Sequence, residues 1–392
     1  MIRIPSTVLT ALALAGALPA SAAAAPFGLG SKIPRPPTTA EAPIALLYDV
    51  TSGQVLNQRD PDRRFMPASV TKVMTAFLAF ELIDQGKVTP RTVYTVRPKT
   101  AHEWSGKGST MFVAANEAIP LDTLLRGITT VSANDGCVVL AEGAAGSVAN
   151  WVAMMNAKAA EVGMVNSHYG TPNGWMDQGN TYVTANDLAR LASAMFIRHP
   201  RLYHTYFGNK RFEFNGIQQP NHEPLTGVVP GADGIKTGFT NQAGYTFLGS
   251  GFRNGRRLVL VLAGSDSAKL RNNAARAYLE WGFSHFASRP LFKQDAIVAS
   301  ARVQGGSARH VALRAPHAIV AALPKDGSAK ITLSLAYHGP LQAPIRKGDE
   351  VAELIIKVPG MAGGRVPLVA ADDVAEANVV QRMVNGLFGL FG

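Results

Sequence analysis

Three short stretches carry side chains that can perform acyl transfer together. The first is Ser69-Val70-Thr71-Lys72. If Ser69 opens a helix, Lys72 lies three residues on and shares its face. A neutral amine one turn from a hydroxyl can accept its proton. A free lysine has a pKa near ~10.4, so burial or a second cation must lower it. The start of a helix also offers backbone N–H groups to a developing oxyanion. Alone the motif is weak, because a chain this long holds on the order of one Ser-x-x-Lys by accident. Its bland reading is an N-cap serine beside an exposed lysine.

The second stretch is Ser132-Ala133-Asn134. Its hydroxyl can relay a proton and its amide can hold a substrate peptide group, although Ser and Asn are common in loops and caps. The third is Lys236-Thr237-Gly238, after Asp233-Gly234. A strand with Lys and Thr can bind a carboxylate through charge and hydroxyl, and Gly lets a substrate backbone come close. An ordinary strand start is the alternative.

The elements that must position these residues are partly readable. Ile44–Tyr48 reads as a buried strand, Thr51-Ser52-Gly53 as a turn and Gln54–Leu56 as a hairpin partner. Val70, Val73, Met74, Phe77 and Leu78 recur at helical spacing, with Gly86 as the stop. Further helices are expected from Leu121 to Ile128, from Asp135 to Gly143 or Gly146, over Ala185–Ile197 and over Ala274–Trp281. Strands are expected from Ile235, over Gly244–Phe252 and over Arg257–Ala263, with Asn254-Gly255 as a hairpin turn. Strands flanking a helical block argue for a mixed α/β domain over 44–288. Short apolar runs between Gly and Pro argue for a small β domain over 292–372.

Composition narrows the class. The chain has 392 residues, 47% hydrophobic and 17% charged, which excludes a disordered or fibrous protein. A net charge of +11 suits anionic surroundings without choosing among them. The single cysteine, Cys137, permits no internal disulfide and reads as a small buried apolar residue. No Cys/His cluster has metal spacing. Residues 1–25 read as a secretory signal peptide: Arg3, an apolar run from Val8 to Leu18, then small residues. Residues 26–43 form an extended lead-in. In the tail, 373–392, apolar residues repeat every four positions from Val379 to Phe391. That face suits an amphipathic helix lying on a membrane, or a helix docked on protein.

Ser-x-x-Lys, Ser-x-Asn and Lys-Thr-Gly, in that order, form the constellation of penicillin-binding proteins and serine β-lactamases. Pro67–Thr75, Ser132–Gly136 and Asp233–Thr240, with Ala243-Gly244-Tyr245 and Trp281-Gly282-Phe283, resemble the low-molecular-mass D-alanyl-D-alanine carboxypeptidases of the S11 peptidase family. The resemblance runs from about residue 40 to the C-terminus and takes in Pro367–Ala370. It implies an α/β (α+β) serine β-lactamase/transpeptidase-like domain, a small all-β domain and a C-terminal amphipathic helix.

The implied activity is removal of the terminal D-alanine from peptidoglycan pentapeptide stems. Ser69 would be the nucleophile, Lys72 its base and Ser132 the proton relay to the leaving amine. Asn134 would hold the substrate peptide, and Lys236, Thr237 and Gly238 would line its carboxylate strand. Phe239 would lend a backbone N–H to the oxyanion, beside that of Ser69. Arg271 matches a family arginine near the carboxylate, although a surface arginine is the usual case. No metal or cofactor is implied. The implied partners are stem peptides, β-lactams as covalent inhibitors, and the inner-membrane surface through the tail, in the periplasm. Nucleic acid is excluded by export and by the lack of a binding motif.

The chain departs from the family pattern at Ala133, where Gly is frequent, at Gly136, where Ala is frequent, and at Phe239, where His is frequent. A class A β-lactamase uses a Glu after the second motif, yet Asn166–Asn186 holds no Glu and only Asp177. A muropeptide endopeptidase stays open as an alternative.

Overall fold

A computed structural model describes residues 36, 41–325, 330–378 and 381. The expected signal peptide at 1–25, most of the expected lead-in at 26–43 and nearly all of the tail beyond 378 lie outside the described residues.

The chain starts with a hairpin, β1 (Ile44–Asp49) and β2 (Gln54–Arg59). A 3-10 turn over Ala68–Thr71 runs straight into α1 (Lys72–Asp84). A block follows of β3 (Val93–Thr95), α2 (Pro98–Trp104), β4 (Ala118–Pro120), α3 (Leu121–Thr130), α4 (Asn134–Ala145), α5 (Val148–Glu161), α6 (Ala185–Arg198) and α7 (Pro200–Tyr206). The small hairpin β5 (Arg211–Phe214) and β6 (Ile217–Pro220) leads to β7 (Ala232–Thr240), β8 (Gly244–Arg253), β9 (Arg256–Ser265) and α8 (Ala268–His285).

The central sheet has the order β2-β1-β9-β8-β7, antiparallel throughout, with β7 at its edge. Its middle strand β9 is apolar on both faces. Val259, Val261 and Ala263 pack against the helical block, and Leu258, Leu260 and Leu262 pack against α8. Alternation along a strand sends these sets to opposite sides. Helix α1 sits inside the block. Its residues Lys72 to Leu82 are buried around the whole circumference, not along one stripe. A lysine at its first position is therefore carried inward by the core.

Ser69 itself lies in the 3-10 turn rather than on the α-helix, because α1 begins at Lys72. The turn keeps the two side chains together while leaving Ser69 half-buried and Lys72 enclosed.

The rest is β structure: β10 (Phe286–Phe292), β11 (Ile297–Gln304), β12 (His310–Arg314), β13 (Ile319–Pro324), β14 (Thr332–Ala336), β15 (Leu341–Gln342), β16 (Glu350–Lys357) and β17 (Gly364–Ala370). Six strands join in the order β14-β16-β17-β12-β11-β15, and β10 pairs with β13. Strand β10 starts ahead of the boundary expected at 292, since its pairing with β13 builds it into this unit. At the other end Val374 bridges Ile345 and Glu376 bridges Gly306. A helix starting at 373 is thereby excluded, because the backbone there is extended and bonded to the β unit.

Two buried contacts join the units. The Gln54 side chain reads the Ala322 backbone, donating to its carbonyl at 3.3 Å and accepting from its N–H at 2.6 Å. Arg256 holds Asp49 through Nε at 3.0 Å and Nη2 at 2.9 Å, and donates from Nη1 to the carbonyl of Phe286 at 2.6 Å.

Candidate active site

The site starts from a turn that cannot relax. Ala68 has φ +50, an uncommon conformation for a residue with a Cβ. It is held because the carbonyl of Pro67 accepts from Thr246 Oγ1 of β8 at 2.9 Å. Edge strand β7 runs directly alongside. A Cβ on Gly238 would lie 2.5 Å from the Pro67 carbonyl oxygen and 3.2 Å from the Ser69 nitrogen. Only glycine lets the strand approach the nucleophile this closely. Gly174 plays the same part on the other side: φ is +75, and a Cβ there would fall 1.8 Å from the Ala68 carbonyl oxygen.

Lys72 is the hub. Its Nζ lies 2.8 Å from Ser69 Oγ, 2.8 Å from Asn134 Oδ1 and 2.7 Å from the Asn173 carbonyl oxygen. As an ammonium it fills all three donor positions. Burial pushes its pKa down to about 8, against smaller opposing effects of Cys137 and Asp135. Cys137 is fully buried, with its thiol pushed up to about 12 chiefly by that burial. Asp135 is buried too. It accepts from the N–H groups of Met111, Val113 and Gly136, which fastens the 111–113 backbone to α4.

Ser132 and Asn134 reach the site through a reversal between two helices. Helix α3 stops at Thr130, Ser132 takes φ +66 and α4 starts at Asn134. Holding a serine there costs on the order of 1–3 kcal/mol. The result is a Ser132 Oγ that is buried and has no hydrogen-bond partner among the described residues. Asn134 is fixed at both ends of its amide, through Oδ1 on Lys72 and Nδ2 on the Lys107 carbonyl at 2.9 Å.

These groups line a cleft of about 320 Å³ together with Lys236, Thr237, Gly238, Phe239 and Arg271. Lys236 is buried and donates to the Thr237 carbonyl at 3.0 Å. Burial first, then the charges of Lys72 and Arg271, push it down to about 7. Arg271 is no surface arginine. It is 5% exposed, lies over the Tyr245 ring, and burial lowers it to about 10. Phe239 is 47% exposed, with its ring stacked on Tyr245 at 4.3 Å. All nine residues expected from the sequence therefore border one cleft or touch it.

Asn173, Trp175 and His222 also belong to this neighbourhood and were not expected. Asn173 acts on Lys72 through a backbone carbonyl, which any residue type could supply. His222 lies in an irregular loop with no motif around it.

The departures at 133 and 136 explain each other. A Cβ on Gly136 would meet the Ala133 Cβ at 3.2 Å and Met111 Sδ at 3.1 Å. A methyl at 136 would therefore crowd the methyl at 133, and Met111 as well.

A hydroxyl bonded to a desolvated amine, sharing one cleft with a cationic strand, is an arrangement suited to serine acyl transfer. The D-alanyl-D-alanine carboxypeptidase family model matches residues 31–267, and the penicillin-binding protein 5 C-terminal domain model matches 286–376. The chain is 32% identical to D-alanyl-D-alanine carboxypeptidase DacA of Haemophilus influenzae over 363 residues, covering 90% of this chain and 92% of that one. It is 32% identical to DacD of Escherichia coli over 356 residues, covering 89% and 91%. The crystal structure of penicillin-binding protein 5 from H. influenzae superimposes with a TM-score of 0.74 at 31% identity, covering 88% of this chain and all of that one. The chain belongs to the D-alanyl-D-alanine carboxypeptidase family.

The exchanged methyl gives a stability test. In a double-mutant cycle, Ala133→Gly with Gly136→Ala should be more stable than the two single effects sum to, by about 1 kcal/mol. Urea denaturation of the four proteins measures it, and strict additivity would show that the two sites do not share space.

Proposed function

We infer that the protein is a serine D-Ala-D-Ala carboxypeptidase that trims peptidoglycan pentapeptide stems and is acylated by penicillins. The observation that carries this reading is the 2.8 Å contact of Lys72 Nζ with Ser69 Oγ, in one cleft with Lys236 and Arg271. The family relationship supplies the substrate class.

Ser69 Oγ attacks the carbonyl carbon of the penultimate D-alanine while neutral Lys72 takes its proton. The backbone N–H groups of Ser69 and Phe239 hold the oxyanion. Lys72 gives the proton it took to Ser132 as Ser132 passes its own to the nitrogen of the departing D-alanine, and the C–N bond breaks. Water then splits the Ser69 ester, releasing the tetrapeptide stem and restoring the hydroxyl.

The two lysines divide the labour. Both are buried and depressed, so two charges side by side are costly. A carboxylate against Lys236, Thr237 and Arg271 favours the charge on Lys236. Repulsion then leaves Lys72 as the neutral one, so the correct substrate helps to prepare its own base.

The site residues in these roles, the catalytic unit up to residue 285 and the β unit from 286 are parts of the same proposal. So are export to the periplasm by residues 1–25 and peripheral attachment to the inner membrane through the tail. No single helix among the described residues is long and apolar enough to cross a membrane.

Mass spectrometry after benzylpenicillin should find one adduct on Ser69 that persists for minutes or longer and is absent in Ser69→Ala. A labelled Ser69→Ala protein, or rapid multiple turnover of nitrocefin, would defeat the reading. The working form of Lys72 is the unprotonated amine, which disappears as pH falls through about 8. Acylation should accordingly slow roughly tenfold per pH unit well below that value. Stopped-flow labelling of the parent enzyme checks it, and a flat profile down to about pH 5 contradicts the base role. Because 374–377 are bonded into the β unit, truncation at 378 should keep full activity and move the protein from the membrane to the soluble fraction. Retention in the membrane pellet excludes the tail as the anchor.

A further inference from the structure

One titratable residue lining the cleft has no part in the steps above. His222 lies in the wall of the cleft with Lys236, Thr237 and Arg271. Its backbone is pinned on both sides. Asn221 donates from Nδ2 to the Asn209 carbonyl at 2.8 Å and accepts the Glu223 N–H at 2.9 Å. Glu223 in turn accepts from the N–H groups of Leu225 and Thr226 at 2.8 and 2.7 Å. The imidazole makes no hydrogen bond to another described residue, so a fixed loop presents an uncommitted ring to the pocket.

Resting on the carboxypeptidase reading, we propose that His222 is a third cationic group for the substrate's terminal carboxylate, beside Lys236 and Arg271, and takes up a proton when that carboxylate arrives. The charges facing the ring decide the sign. Lys236 comes from β7 and Arg271 from α8. Lys72 stands behind Lys236, and Glu223 is next in the loop, with its carboxylate turned to backbone N–H groups. His222 as a residue is exposed, but in the free enzyme partial desolvation of its ring first, then the charges of Lys236 and Arg271, hold it below its ordinary pKa. The uncharged ring is thereby favoured. A carboxylate among the three groups offsets both cations and pairs with the imidazolium. Proton affinity rises in the complex, and binding strengthens as pH falls through the bound-state pKa. Below the free-state pKa there is no further gain. Lys236 recovers charge in the same event, so a total proton count does not identify His222 and a residue-resolved signal is needed.

The full chain carrying Ser69→Ala, with ring-labelled histidine, supplies that signal. His222 is assigned by its absence in the further variant His222→Gln. NMR titrations are run alone, with a free-acid peptide ending in D-Ala-D-Ala, and with the same peptide as its C-terminal amide. The expected result is an upward move of the His222 midpoint by about one unit, a tenfold gain in proton affinity, with the acid only. No move, or an equal move with the amide, overturns the proposal. In the active enzyme, His222→Gln should raise KM for the free-acid peptide at least threefold near pH 6 and much less near pH 9. An equal rise at both values overturns it as well. If the parent enzyme fails to hydrolyse the free-acid peptide at all, the carboxypeptidase reading itself falls. If it hydrolyses the peptide and His222 stays silent, only the present inference does.

Discussion

The burial of one amine organises this molecule. Lys72 opens a helix that is enclosed on every side, and an enclosed ammonium is tolerated only where each of its donors is met. Ser69, Asn134 and Asn173 meet them from three separate segments. The 3-10 turn, the α3–α4 reversal and the loop before α6 must therefore converge on one atom. The cost of that convergence appears as positive φ at Ala68 and Ser132. It also appears as two glycines, Gly174 and Gly238, that leave no room for a methyl. The same desolvation that makes the lysine expensive lowers its proton affinity, as the base role proposed for it requires.

The elements that hold this arrangement were legible where periodicity is strong. The strands from Ile44, Gly244 and Arg257 and the helices after Leu121, Asp135 and Ala185 all read from apolar spacing and turn residues. Helix α5 did not emerge, although Trp151, Met155 and Ala159 are buried at four-residue intervals and Ser147 caps it through Asn150 N. Its alanine-rich stretches blur the contrast between the two faces. Periodicity also understated α1, where a seemingly one-sided pattern belongs to a helix with no solvent face. The β unit was readable as a class but not in its edges, because β10 and the 374–377 segment are defined by long-range pairing.

The candidate site was legible through its motifs, since a nucleophile, an amine and a cationic strand require particular side chains. What stayed hidden acts through backbone or through distance. The Asn173 carbonyl carries no side-chain signature, and His222 reaches the cleft from an irregular loop. The altered pair at 133 and 136 looked like two independent departures. In three dimensions the two positions are neighbours, close enough for their side chains to crowd each other.

Arg256 is 4% exposed, and its guanidinium joins Asp49, at the end of the first strand, to the Phe286 carbonyl, where the β unit begins. Asp49 and Arg256 belong to the same unit, so the tie to the β unit is the Nη1 bond to Phe286, with Phe286 and Ala322 packed into the apolar cluster of β9 and α8. The joint is consequently packed as well as hydrogen-bonded, so the near end of the β unit is continuous with the sheet whose edge strand lines the cleft.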